Sequence, residues 1–83
     1  MLELRPNCEC CDTDLPPDTL DALICSFECT FCRRCAEHHL QGQCPNCAGQ
    51  LRQRPTRVGT ALINNPASTQ RVNKPHPACL RST

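Results

Sequence analysis

Cysteine dominates the chemistry open to this chain. Ten of its 83 residues are cysteine, and eight fall into four short pairs: Cys8-x-x-Cys11, Cys25-x-x-x-Cys29, Cys32-x-x-Cys35 and Cys44-x-x-Cys47. Such spacing lets both sulfurs of a pair reach one tetrahedral ion, at about 2.3 Å for zinc. Eight thiolates fill two Zn2+ sites and leave no position open for water. Closed sites hold a fold together and do not activate water. The pattern predicts Cys8, Cys11, Cys25, Cys29, Cys32, Cys35, Cys44 and Cys47 as the ligands of two zinc ions. It also predicts no catalytic residue, no small-molecule substrate and no enzyme activity.

Ten cysteines would equally serve a disulfide framework, which needs an oxidising compartment. The start, Met1-Leu2-Glu3-Leu4-Arg5-Pro6, has neither the basic n-region nor the apolar h-region of a signal peptide. No apolar run approaches the length of a membrane span. The chain is therefore expected in the cytoplasm, away from membranes, where thiols stay reduced and Cys-x-x-Cys pairs hold metal.

The elements that must position these ligands are small. The large apolar residues of the cysteine-rich part are Leu2, Leu4, Leu15, Leu20, Leu23, Ile24, Phe27, Phe31 and Leu40, and there is no Trp or Tyr. So small a set does not fold a chain of this length alone, and metal is one of the usual supplements. Ala22 to Phe27 is a short apolar run that reads as a strand, with Thr30-Phe31 able to pair back on it. Arg33 to Gln41 is the helix candidate, with Ala36 and Leu40 on one face and Gly42 as its stop. Cys35 then falls in the first turn, where free backbone N–H groups favour a thiolate. Cys44-Pro45-Asn46-Cys47 reads as a tight knuckle.

Charge divides the chain in two. Residues 1–47 carry all eight acids and three bases, whereas residues 48–83 carry six bases and no acid. Eight thiolates on two Zn2+ ions would make the head more acidic still. After Gln50 the periodicity fades among Pro55, Pro66, Pro75 and Pro77, apart from a weak strand pattern over Val58–Ile63. The expected organisation is a zinc-binding domain over 1–50 and a basic, proline-containing, disordered tail over 51–83.

The order and spacing of the four pairs resemble the RING-type zinc finger, with Cys29 where that pattern commonly has histidine. The resemblance implies a small metal-stabilised α+β fold of RING-like, treble-clef type: a short β-hairpin and one short helix. It also implies cross-bracing, with one zinc on Cys8, Cys11, Cys32 and Cys35 and the other on Cys25, Cys29, Cys44 and Cys47. Leu4-Arg5-Pro6-Asn7-Cys8, Asp14-Leu15-Pro16-Pro17-Asp18 and Ile24 through Cys32 are similar to a short bacterial cysteine-rich family, domain of unknown function twelve-seventy-two. That resemblance covers about residues 1–55, implies zinc binding and brings no established activity. RING ligases resemble one another in an apolar residue inside the first pair and a basic residue after the last cysteine. This chain has Glu9 and Cys10 in the first place and Ala48 in the second, which argues against ligase activity.

Several residues carry rival readings. Cys10 would either replace Cys11 in a tighter bite or stand as a spare thiol; the plainer reading is a partly exposed bystander. His38 has metal spacing from Cys35, but with eight thiols available His38 and His39 read as a solvated helix face. His76 and Cys79 read as bystanders. Cys32-Arg33-Arg34-Cys35 has the form of a thiol–disulfide motif without the βαβ context that motif requires. The leading expectation is a structural zinc module acting as a protein-interaction adaptor for an unidentified protein partner. The rivals are nucleic-acid association through the basic tail, a weak footprint without tail aromatics to stack on bases, and a zinc-linked thiol redox sensor at Cys10.

Overall fold

A computed structural model describes residues 2–74, 76 and 77. Its centre is a three-stranded antiparallel sheet in the order β2-β1-β3, with β1 at Ala22–Ile24, β2 at Thr30–Cys32 and β3 at Arg52–Gln53. The apolar run supplies β1 and the segment after Cys29 supplies β2, pairing Ala22 with Cys32, Leu23 with Phe31 and Ile24 with Thr30. The connecting turn closes through Glu28 N donating to Cys25 O at 3.0 Å, with Glu28 at φ 66°. Strands of three residues are marginal in isolation, so the hairpin depends on what is pinned at its ends.

The predicted helix is present in a shorter and wider form. Cys35–His39 is one π-helical turn, with Leu40 N donating to Cys35 O at 2.9 Å, five residues back. π-turns are rare overall and are frequent at functional sites. Gln41 and Gly42 follow at φ 53° and 77°, and Gly42 N donates to Ala36 O at 2.7 Å. Glycine adopts this conformation without a Cβ penalty, so Gly42 ends the turn as expected.

The packed unit does not stop at Gln50. Leu51 is buried among Leu15, Leu23, Phe31, Leu40 and the cysteines, and Arg52–Gln53 adds to the edge of β1. Arg54 is 0 % exposed, with no carboxylate partner among the described residues. Its guanidinium donates to the carbonyls of Arg5 at 3.0 Å, Leu15 at 3.4 Å and Pro16 at 2.9 Å. Burial holds its pKa below the ordinary arginine value, and nearby Arg57 adds to this. Of the large apolar residues, Leu20 and Phe27 are 63 % and 71 % exposed and stay outside the core.

Of Val58–Ile63, read as a weak strand, only Val58 is extended; the rest lies in α1, Gly59–Asn64. No residue of α1 is buried, which is why an apolar period is missing there. Beyond α1 the chain returns to the head. Ser68 N donates to Leu4 O at 2.9 Å, Arg71 ion-pairs with Asp12 at 3.0 Å and Asp14 at 2.8 Å, and Lys74 N donates to Glu9 O at 2.9 Å. Among the described residues, no helix is long and apolar enough to cross a membrane.

Candidate metal centres

The four cysteine pairs sit on four distinct pieces of backbone. Cys8 and Cys11 lie on a loop closed by Cys8 N to Thr13 O at 2.8 Å and Asp12 N to Cys8 O at 2.9 Å. Cys44 and Cys47 lie on a loop closed by Cys44 N to Gly49 O at 2.8 Å and Ala48 N to Cys44 O at 2.8 Å. Cys25 and Cys29 flank the hairpin turn. Cys32 ends β2 and Cys35 begins the π-turn.

These elements gather the sulfurs into two groups. The Sγ atoms of Cys8, Cys11, Cys32 and Cys35 all lie within 4.8 Å of one another, as do those of Cys25, Cys44 and Cys47. Sulfurs at the corners of a tetrahedron about 2.3 Å from an ion stand about 3.8 Å apart, and Cys11 Sγ lies 3.7 Å from Cys32 Sγ. The first group therefore fits a tetrahedral metal ion. The first and third pairs share one group and the second and fourth share the other, so the groups interleave along the chain. Cys29 falls outside the mutual distance of the second group, although its sulfur interacts with that of Cys25. Both clusters could hold a metal ion, with Cys29 as the fourth thiol of the second.

The surroundings bear on the charge that these sulfurs can carry. A hydrogen bond to Cys32, followed by burial, pushes the Cys8 thiol up to about 12. Burial, then the charge of Cys8, pushes Cys35 to about 12, and burial does the same to Cys44. At Cys35, burial and the neighbouring thiols work against the thiolate that a helix start favours. At Cys25 burial opposes ionisation, yet N–H donors from Phe27 and Cys29 and the neighbouring thiols hold the pKa below its usual value. Burial raises Cys29, opposed by the Asn46 amide. Crowded buried thiolates repel one another, and a divalent cation removes that cost.

A polar link joins the two groups. Asn46, between Cys44 and Cys47, donates through Nδ2 to Glu9 Oε2 at 2.7 Å and to Cys29 Sγ at 3.3 Å. Glu9, between Cys8 and Cys11, is 2 % exposed, and Arg5 Nη1 lies 3.7 Å from its Oε1. Outer hydrogen bonds of this type orient ligands and tune a centre. Cysteine spacing alone shows neither Glu9 nor Asn46, because each sits at an intervening position where many residue types are accepted.

The remaining candidates divide. His38 and His39 join neither group and lie on the outer side of the π-turn. Cys32 and Cys35 are free thiols within the first group, so the thiol–disulfide reading of that pair has no support. Cys10 is not a bystander thiol: it is half-buried and its sulfur is in a disulfide. His76 is not a bystander either, with Nε2 at 2.6 Å from Glu9 Oε2 and its ring 6.0 Å from that of Phe31. Cys79 lies outside the described residues.

Comparison with known proteins places this small, cysteine-clustered α+β unit in a class defined by sequence alone. Residues 1–57 match the model of a family described as a protein of unknown function, DUF1272, and the chain belongs to that family. It is also similar to "Uncharacterized protein R02474" of Rhizobium meliloti (strain 1021), at 65 % identity over 75 residues, covering 90 % of this chain and 89 % of that one. A match of that length in an 83-residue chain necessarily runs beyond residue 57 into the returning segment. No solved structure matches the chain.

Proposed function

We propose that the chain is a structural two-zinc module of RING-like type that presents a surface to a protein partner in the cytoplasm and catalyses nothing itself. The observation that carries this reading is the four-sulfur group, complete without any other ligand, with a sulfur–sulfur distance suited to a tetrahedral ion. Thiolate sets of this shape select zinc or iron–sulfur chemistry. Zinc is favoured because the two sulfur groups are separate and each is suited to a single ion, the second completed by Cys29.

The surface offered to a partner is formed by the hairpin tip and the outer side of the π-turn. Phe27 is 71 % exposed at the tip. An open groove of about 600 Å3 lies beside the first group, lined by Leu15, Asp21, Arg33, Glu37 and His38 among others. The nucleic-acid reading draws less support, because Arg54, Arg57 and Arg71 of the basic half are held by carbonyls or acids of this chain.

Native mass spectrometry of the full chain, purified without added metal, tests the metal reading. Two zinc ions lost together with structure in acid are expected. Bound iron, or no metal with the eight thiols free, would overturn it. A photo-reactive residue at Phe27, used in the source cell, tests the adaptor reading. It should give one discrete crosslinked protein absent when the residue is placed at Thr56; identical products from both positions would remove the hairpin tip as the partner surface.

A further inference from the structure

The two sulfur groups are not equally closed. The Sγ atoms of Cys8, Cys11, Cys32 and Cys35 all lie within 4.8 Å of one another, whereas Cys29 stands outside the group of Cys25, Cys44 and Cys47. A four-thiolate site holds because all four sulfurs reach one ion, so the second group has a weak corner. Backbone donors hold two of its members. Phe27 N lies 3.3 Å from Cys25 Sγ, and the N–H groups of Cys47 and Asn46 bond Cys44. Cys29 relies on a side chain: Asn46 Nδ2 donates to its sulfur at 3.3 Å.

Asn46 is itself exposed and is fixed from its far side. The same Nδ2 donates to Glu9 Oε2 at 2.7 Å, and His76 Nε2 lies 2.6 Å from that oxygen. Glu9 is 2 % exposed. Its Oε1 is buried without a hydrogen-bond partner among the described residues, with Arg5 Nη1 at 3.7 Å. The carboxylate is therefore placed by its protein surroundings and not by solvent. A carboxamide carries two N–H donors, one for the carboxylate of the first loop and one for the sulfur of the second group. Exposure alone points to a different weak corner, because Cys11 is the exposed thiol among the eight while Cys29 is half-buried.

We propose that the second centre opens at Cys29 to a competing thiol ligand, and that Asn46 is the positioning residue that keeps this corner shut. The proposal rests on the two-metal reading and is independent of the adaptor reading. The competing ligand is of the small-thiol class and enters by exchange. One sulfur–metal bond breaks at Cys29 and one forms to the incoming sulfur. The incoming thiol's proton passes to Cys29, and nothing is oxidised or reduced. Opening at this corner gives a metal acceptor access to one centre of the two. Loss of an outer hydrogen bond of this kind costs about 10–100-fold in metal affinity.

The test uses the full chain loaded with zinc, and with cobalt as a spectroscopic probe. Iodoacetamide followed by peptide mapping should mark Cys29 before any of the other seven ligands, exposed Cys11 included. Glutathione should speed the transfer of one zinc ion to an indicator dye and leave the other in place. Asn46→Ala should raise both rates at least about tenfold, with the labelling of Cys11 unchanged. In the cobalt form of that variant the sulfur-to-cobalt charge-transfer band should lose the share of one thiolate. Cys11 labelled first, both ions leaving together, or rates and band unchanged in Asn46→Ala would each overturn the proposal and leave the metal reading standing. A parent chain that holds fewer than two ions would overturn both.

Discussion

Two loops of this molecule share one backbone and differ in what covers them. Cys44 stands to Cys8 as Ala48 stands to Asp12 and Leu51 to Leu15. In the first loop Leu15 N donates to Pro6 O at 2.7 Å, and Asn7 forms a bridge with Asp14. In the second, Leu51 N donates to Gly42 O at 2.9 Å, and Gln43 forms a bridge with Gln50. Each loop turns through a residue of positive φ directly after its second cysteine, Asp12 at 64° and Ala48 at 65°. Each then drops a leucine into the core. Yet Asn7 and Glu9 are buried beneath the returning segment at Val72 and Asn73, whereas Gln43, Pro45 and Asn46 are exposed. Sulfur spacing and hydrogen-bond closure are enough to repeat the loop. Its surroundings depend on distant chain.

The largest way to break this comparison is to remove a ligand from each group. Cys32→Ser should abolish the far-UV circular dichroism of the head and release metal from both centres, because the interleaved groups fold as one unit. Structural zinc sites contribute on the order of 10–16 kcal/mol. Cys29→Ser should do less, since Cys25, Cys44 and Cys47 already form a group without it. Native mass spectrometry should still find the first centre filled and the second weakened. Equal collapse of both variants would show that Cys29 is as necessary as Cys32.

Next in size are the paired leucines. Leu15 and Leu51 are 2 % and 4 % exposed in one core, so Leu15→Ala and Leu51→Ala should each cost about 2–4 kcal/mol. Urea melts at fixed free zinc should place the two midpoints close together, because metal binding adds to apparent stability by mass action. A loss at Leu51 below about 1 kcal/mol would mean that the domain does end before it.

Arg54 separates the loops again, because it holds only the exit of the first. Arg54→Met strands the carbonyls of Arg5, Leu15 and Pro16 and should cost about 2 kcal/mol or more. Arg52→Met, at an exposed position of β3, should change stability by less than about 0.5 kcal/mol. Similar melting midpoints for the two variants would sink the view that Arg54 organises the first loop.

What could be read from the chain was local. The cysteine spacing, the apolar run of β1 and the glycine stop at Gly42 act over a few residues, and each lies where its pattern suggested. What could not be read depends on partners far along the chain. Arg52–Gln53 has no strand pattern of its own and is recruited by Leu23 and Ile24. Arg54 looks like one more tail cation until the carbonyls around it are in place. The returning segment rests on Asn7, Glu9 and Asp12, which in sequence are ordinary polar loop residues. The likeness of the two loops is hidden for a related reason: hydrogen bonds carry it, and apart from the cysteines and the final leucine its side chains differ.

The smallest effect is the sharpest test of that hidden likeness, because the two loops should answer with opposite signs. A left-handed residue costs about 1–2 kcal/mol when it carries an ordinary side chain, and glycine escapes this. Ala48 makes no compensating side-chain bond, so Ala48→Gly should stabilise the protein by about 0.5–1 kcal/mol, after the greater chain entropy of glycine is set against the strain relieved. Asp12 tolerates the same φ better than alanine, since its short polar side chain bonds locally. Its Oδ1 accepts from Asn7 Nδ2 at 2.8 Å and from Arg71 Nη2 at 3.0 Å. Asp12→Gly relieves little strain and loses both bonds, so it should destabilise by about 1 kcal/mol. Urea midpoints of the metal-loaded chain read both variants under one condition. If both glycines stabilise, the contacts of Arg71 and Asn7 at Asp12 contribute nothing and the first loop is governed by the same local strain as the second. If both destabilise, the positive φ at Ala48 is not a cost, and the backbone likeness ceases to explain the energetics of either loop.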